Sequence, residues 1–456
     1  MAIGEDQENQ QVECKKDDVL VPLLEDRKKG FKSEINGGSF LGSVFNLSTT
    51  IVGAGIMALP ATMKVLGLGL GISIIIFMAV LANFSIDILL RFSRGGGSNS
   101  YGGVMGDAFG TCGRRLLQVC VLINNIGILV VYMIIIGDVL SGTTSDGVHH
   151  PGVLEGWFGE QWWTGRRFVL LAITLVVFAP LGFFKRIDSL RHTSALAVAL
   201  AVVFLVITAA ITIFKLFTGS IEMPRFLPDV TDISSVWRLF TVVPVIVTAY
   251  ICHFNVHSIE NELRDPSQMR SVVRASLSLC SIIYIMTSLF GYLLFGDSTL
   301  DDVLANFDSN LGVPYSNVLN DAVRVSYALH LMLVFPILFY PLRVNVDGLF
   351  FPSARPLDSE KWRFAFINFT LIFVVFVLAN FIPSIWDAFQ FSGATAAVSL
   401  GFILPAAIAL KDAPGIATKT DKILSVFMIF LAVSSNAVAI YSDACAVFQK
   451  NASPKE

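Results

Sequence analysis

Charge is what this sequence has least of. Asp, Glu, Lys and Arg make up only 15% of its 456 residues, against about 25% in soluble domains. The few charges fall in short clusters between long apolar runs. Hydrophobic residues reach 54% and mean hydropathy is +0.69, which excludes an ordinary soluble enzyme. A formal net charge of −3 and a pI of 6.1 leave no positive surplus to hold nucleic acid. Cysteine is sparse: Cys14, Cys112, Cys120, Cys252, Cys280 and Cys445, of which only Cys445 falls in a segment expected outside the cytosol. No disulfide framework is expected. The N-terminus lacks the apolar core of about 7 to 15 residues that marks a cleaved secretory signal. Residues 1–38 read instead as a disordered cytosolic tail, in which Asp17-Asp18-Val19-Leu20-Val21-Pro22-Leu23-Leu24 approximates an acidic dileucine sorting signal, with the acidic residue one place too far upstream. A Walker-type phosphate loop, a metal-spaced Cys/His set and a nucleophile elbow are all missing, so neither an enzyme nor a cofactor or metal site is expected.

What is present is membrane-length hydrophobicity. A span needs about 20 apolar residues, because lipid offers unpaired backbone groups no partner. Eleven stretches qualify: Phe40 to Leu66, Leu68 to Leu90, Leu116 to Leu140, Phe168 to Phe184, Ser194 to Phe214, Leu239 to Ile259, Ala275 to Phe295, Val325 to Leu342, Phe364 to Ile382, Ile385 to Leu410 and Ile423 to Ile440. Only Gly67 separates the first two. With the N-terminus inside, 23 of the 32 Lys and Arg face the cytosol, as retention of positive charge requires. The stretch from Asp297 to Asp308, on the other side, has four Asp and no Lys or Arg. The membrane domain is 39–442, and residues 443–456 form a short non-cytosolic tail whose Asn451-Ala452-Ser453 is a formal but poorly placed glycosylation acceptor. No fixed short repeat is visible, but eleven divides into two inverted five-helix repeats plus one helix.

The first span carries the strongest local signal. It runs Asn46-Leu47-Ser48-Thr49-Thr50-Ile51-Val52-Gly53-Ala54-Gly55-Ile56-Met57-Ala58-Leu59-Pro60. Two glycines lower helix propensity by about 1 kcal/mol each, and Pro60 removes an amide. A break is expected across Val52, Gly53, Ala54, Gly55 and Ile56, where amides freed at the start of the second half-helix suit a substrate carboxylate. The competing explanation is that the small residues only let a neighbouring helix approach closely. Asn46 and Thr50, four apart, share the face that leads into the break.

The sixth span reads Tyr250-Ile251-Cys252-His253-Phe254-Asn255-Val256-His257. Two histidines and an asparagine are costly in hydrocarbon, so Tyr250, His253 and Asn255 are candidate cavity residues, with His257 and Ser258 nearer the interface. No glycine marks a break there. Asn125 and Tyr132, seven apart beside Asn124, form a polar stripe on span three, while span ten carries Gln390, Ser392, Gly393, Thr395 and Ser399. Asp87, Asp138 and Asp387 fall near span ends and are expected to reach the interface. In span eight, Leu331 to Pro341 has no Ser, Thr, Asn, Asp or Glu side chain to supply the oxygens that a dehydrated sodium ion would want. His330 stands there instead, either as a packing histidine or as a proton carrier. No convincing buried Arg or Lys is visible. His149-His150 and Trp162-Trp163 suggest an interfacial anchor in an outer loop.

These residues resemble the amino acid/auxin permease family. Ser43-Val44-Phe45-Asn46-Leu47-Ser48 with Gly53-Ala54-Gly55-Ile56 is similar to its first helix, Asn124-Asn125-Ile126-Gly127 to its third, and Cys252-His253-Phe254-Asn255-Val256 with Asn261-Glu262-Leu263 and Asp265-Pro266 to its sixth. The resemblance covers about Ser39 to Ser442 and is greatest to the plant-like vacuolar branch, with the sodium-coupled neutral amino acid transporters as cousins. It implies an all-α polytopic protein of the leucine-transporter-type fold, with helices one and six interrupted and an amino acid held between Val52 to Ile56 and Tyr250 to Asn255. The expected function is alternating access at a vacuolar or other acidic endomembrane, proton-coupled, with His253 and His330 as the candidate carriers, or running downhill. Sodium-coupled uptake at the cell surface and a transport-dead sensor are the alternatives. The span-eight hydroxyl and the outer-loop disulfide cysteines of sodium-coupled relatives are absent, which favours protons over sodium.

Overall fold

Ser39 starts the first helix, its hydroxyl accepting the Gly42 amide at 3.1 Å. The computed structural model describes residues 38–145, 148–308, 310–382 and 394–452. In it, α1 (Phe40–Ile51) gives way after three non-helical residues to α2 (Gly55–Leu66), and the two are bent by 58°. Gly67 then turns the chain at φ 73°, where a Cβ would stand 2.7 Å from the Leu227 backbone. Only glycine fits that turn, so the narrow boundary before α3 (Leu68–Gly96) is a sharp one. Helix α4 (Tyr101–Ser141) bends at Gly110, so a short arm precedes the expected third span. α5, residues 166–182, contains the π turn Thr174–Phe178. There follow α6 (Arg191–Phe217), α7 (Ile233–Ala249), α8 (His253–Glu262), α9 (Met269–Phe295), α10 (Ser316–Phe350) and α11 (Lys361–Phe381). α12, residues 394–411, holds a second π turn at Ser399–Ile403, and α13 (Lys419–Ala452) ends the described chain.

Among the described residues, eight helical runs are long and apolar enough to cross a membrane, with α7 and α8 counted together, and the bent pair α1–α2 adds a ninth. Of the eleven expected spans, the fourth differs, a shorter helix with a π turn, and the described part of the tenth holds a π turn as well. The start of the tenth, with Asp387, Gln390, Ser392 and Gly393, lies outside the described residues. So do the tail 1–37 with its dileucine-like stretch and Ser453 of the glycosylation acceptor. α13 runs on to Ala452, past the expected boundary of the membrane domain at 442.

α10 packs along α4 and α6, α9 crosses α1, α2 and α3, α1 lies against α6, and α7 lies against α12. The last two pairings are reciprocal: the first helix of each half rests on the last helix of the same half, as an inverted repeat demands. Val80, Phe366, Phe369, Phe373 and Phe430 point outward, the reverse of a soluble protein and what lipid requires. Between helices, lipid supplies no hydrophobic drive, so close contact and polar pairing hold the bundle.

One end of α3 shows that pairing. Arg91 meets Asp421 of α13 through two hydrogen bonds, at 2.9 and 2.7 Å. Asp87 accepts from Arg91 and from Arg270 of α9, and Arg94 reaches Glu260 of α8 at 3.0 Å. Asp87 thus sits near a span end, as expected. The Arg91–Asp421 pair is partly solvated, so Arg91→Gln is expected to cost about 1–2 kcal/mol, read as a lowered melting temperature of the purified protein. An unchanged melting temperature would show that the pair holds nothing. Arg343, counted from the sequence as a loop cation, is instead buried at 1% exposure. It caps the carbonyl end of α5 by donating to Gly182 and Phe184 at 2.8 and 2.9 Å, with its guanidinium 4.5 Å from the Phe364 ring.

Candidate substrate site at the helix breaks

The last regular bond of α1 runs from the Val52 amide to Ser48 at 2.8 Å, and hydrogen bonding resumes only with Ile56 to Gly53 and Met57 to Ala54. The carbonyls released in between are met by tyrosines. Tyr327 of α10 donates to the Gly53 carbonyl at 2.9 Å. Tyr284 of α9 lies 2.7 Å from the Ile51 carbonyl and 2.6 Å from that of Ala249 at the end of α7, so one hydroxyl spans both interruptions. The glycines also permit close approach. The Tyr132 hydroxyl occupies the place a Cβ on Gly53 would take, and a Cβ on Gly55 would stand 3.0 Å from the Ala249 Cα. Break and close approach, the competing explanations, therefore coincide at the same residues.

The second interruption is milder. Tyr250 to Cys252 leave the helical pattern, yet α7 and α8 continue as one apolar run, whereas α1 and α2 diverge by 58°. Between the starts of α2 and α8 lies a cavity of about 20 Å³, room for roughly one water. Thr50, Gly53, Ala54, Gly55 and Tyr132 line it, joined by Thr248, Ala249, Ile251 and Phe254. No charged side chain lines it.

The other expected residues frame this cavity without lining it. Val52 and Ile56 are fully buried beside it. Asn46 donates to the Ile187 carbonyl at 3.0 Å. Asn255 donates to Thr50 Oγ1 and to the Ile337 carbonyl, at 3.0 and 2.9 Å, joining the sixth span to the first and eighth. Asn125 donates to Leu338 at 3.0 Å and accepts from Asn124. Tyr250 pairs with Ser281 at 2.8 Å. His253 Nε2 lies 3.1 Å from Ser85 Oγ, which itself donates to the Gly401 carbonyl. That hydroxyl has spent its proton, so His253 carries a proton on Nε2, and its Nδ1 has no partner among the described residues. His330 is fully buried, with Nδ1 2.7 Å from the Ala197 carbonyl of α6. Its other nitrogen has no hydrogen-bond partner among the described residues and faces the Val52 carbonyl at the break.

Sequence reasoning missed Tyr284 and Tyr327. Both are tyrosines inside apolar spans, a signal like that of Tyr132, though each shares its span with a second tyrosine, Tyr292 and Tyr340. Phe254, one of 37 phenylalanines, carried no such signal. It lines both the central cavity and a second one of about 480 Å³, which opens at the face where α8 ends.

The opposite face is latched by ion pairs. Asp138 meets Arg166 there, and Asp308 accepts from His150 at 2.6 Å and from Arg324 at 3.3 Å. His149 bonds Glu155, with Glu160 close by, so both histidines pair with carboxylates and do not form the expected aromatic anchor. Trp162 stands 78% exposed. Burial pushes the Asp302 carboxyl, on the same face, up to about 6.

The amino-acid sequence over residues 36–446 matches the family model described as transmembrane amino acid transporter protein. The chain belongs to the transmembrane amino acid transporter family. Within it, the chain is 67% identical over 441 residues to amino acid transporter AVT6A of Arabidopsis thaliana, covering 96% of each chain. It is 27% identical to sodium-coupled neutral amino acid symporter 2 of Danio rerio, over 84% of this chain and 78% of that one. Among solved structures, a manganese transporter from Eremococcus coleocola superposes with a TM-score of 0.53 at 15% identity, over 91% of this chain and 88% of that one. MhsT in complex with L-phenylalanine gives 0.51 at 14% identity, over 88% and 98%. At such identities the likeness shows the fold alone, and the fold is the leucine-transporter type. The member of the amino acid/auxin permease family described here is thus a multi-pass membrane transporter.

Proposed function

We propose that this transporter moves amino acids by alternating access, coupled to protons through His330, and exports them to the cytosol from the vacuole or another acidic compartment. The amino acid is held at the break of the first span, its carboxylate on the free amides at the start of α2, with Tyr132 and Thr50 beside it. Thr248, Ile251 and Phe254 surround the side chain, and the uncharged lining favours neutral substrates. A cavity of about 20 Å³ must open to admit any amino acid, so the arrangement described is a closed one. The N-terminus lies in the cytosol, on the face that carries most of the Lys and Arg.

The position of His330 carries the coupling. A neutral imidazole donating to Ala197 turns a bare nitrogen toward the Val52 carbonyl, lone pair against lone pair. Protonation makes that nitrogen a donor and ties α10, α6 and the break together; release of the proton loosens them. His253 fits less well, since a second proton on its Nδ1 would find no acceptor. The Asp302 carboxyl, neutral below about pH 6, suits an acidic compartment on the outer side.

The test is flux into reconstituted vesicles under a pH gradient or a sodium gradient. The expected result is pH-dependent, sodium-independent flux whose pH profile flattens in His330→Gln. Sodium dependence without pH dependence would defeat proton coupling, and an unchanged profile in the variant would clear His330.

A further inference from the structure

The cavity of about 480 Å³ on the basic face is large enough to hold a solute, well within the range of ligand pockets. Three features of its wall point to one kind of occupant. The first is the start of α4, where Ser100 caps the helix by accepting the Gly103 amide at 3.0 Å and the amides of Tyr101 and Gly102 have no intrahelical acceptor. The second is His257, only 3% exposed and stacked on the Tyr101 ring at 6.5 Å, with both ring nitrogens unpartnered among the described residues. A buried imidazole rarely goes unsatisfied on both sides. The third is Arg114, an exposed cation with no ion pair among the described residues. The only carboxylate in the wall, Glu262, is held by the Ile187 and Asp188 amides at 3.0 and 2.7 Å, which offsets its repulsion of an anion.

We infer that this cavity is a second amino-acid site, in which the α4 amides, Arg114 and His257 hold the carboxylate of a solute separated from the central cavity by the Phe254 ring. Helix dipole and guanidinium both attract a carboxylate, and a small turn of the His257 ring gives the carboxylate a further N–H donor. Phe254, shared by both cavities, is the partition across which the solute passes from one to the other. The inference rests on the proposed transport of amino acids and adds a holding site to it.

Binding of tritiated L-alanine, L-glutamate and L-lysine to the purified full-length protein tests this. Gly53→Leu fills the central cavity and is expected to keep one weaker component for the amino acid the wild type binds. Adding Arg114→Gln or His257→Phe to Gly53→Leu should weaken that component roughly 10-fold, the loss of one charge-assisted hydrogen bond. If Gly53→Leu binds nothing while the wild type binds, the second site is overturned and the central one stands. A component indifferent to both added substitutions, or one displaced by inorganic phosphate but not by acetate, would also overturn it. Failure of the wild type to bind any of the three would remove this inference and the proposed substrate class together.

Discussion

Alanine at position 53 is expected to cut amino-acid flux by roughly 10- to 100-fold while leaving the protein folded and inserted, and leucine there to remove flux. The Tyr132 hydroxyl occupies the space an added Cβ needs, and both groups are buried, so neither can move into solvent. Overpacking of this kind costs about 1–3 kcal/mol, and each 1.4 kcal/mol is a factor of about ten. The strain falls on the three residues that separate α1 from α2 and little on the helices themselves. Tyr132→Phe removes the atom nearest the new methyl group, so Gly53→Ala with Tyr132→Phe should recover flux relative to the product of the single losses. A double-mutant cycle on uptake, with membrane insertion checked separately, measures that coupling. Normal flux in Gly53→Ala, or strict additivity, would remove this residue from the transport path.

Tyr284→Phe should affect stability and transport together. One phenolic proton serves the Ile51 and Ala249 carbonyls, the last of α1 and of α7, and phenylalanine leaves both without it in a buried interior. An unsatisfied buried acceptor costs about 1–3 kcal/mol, so the melting temperature should fall by several degrees and uptake should fall with it. Tyr327→Phe is the internal control. It strips a single carbonyl, Gly53, and is expected to do less on both counts. Equal effects, or none from Tyr284→Phe, would show that the tyrosine does not join the two breaks.

Much of this was legible before any coordinates. Gly53 and Gly55 announced the break because they weaken a helix wherever they stand, and the places of most spans, though not their ends, followed from uninterrupted apolar length. Asn46, Thr50, Asn125 and Asn255 were conspicuous because amides and hydroxyls are costly in hydrocarbon. Their cost says that each needs a partner and is silent about which. Asn255 turned out to bind Thr50 and Ile337, and Asn46 the Ile187 carbonyl, residues more than 80 positions away in every case. The break after Ala249 has no glycine to betray it. Arg343 looked like a loop cation because it follows Pro341 at the end of an apolar run. It is buried because the α5 carbonyls and the Phe364 ring come to meet it from elsewhere in the chain.

Composition and periodicity alone determined that this chain lives in a membrane, which face collects its positive charge and where its first span must fail as a helix. Those properties depend on residues adjacent in sequence and on their transfer between water and lipid. Only the folded bundle decided that Tyr284 would reach both interruptions, that Tyr132 would press on Gly53, and that His330 would lie between Ala197 and the broken helix. Each is a meeting of groups far apart along the chain, set by how helices cross, and no local preference encodes it.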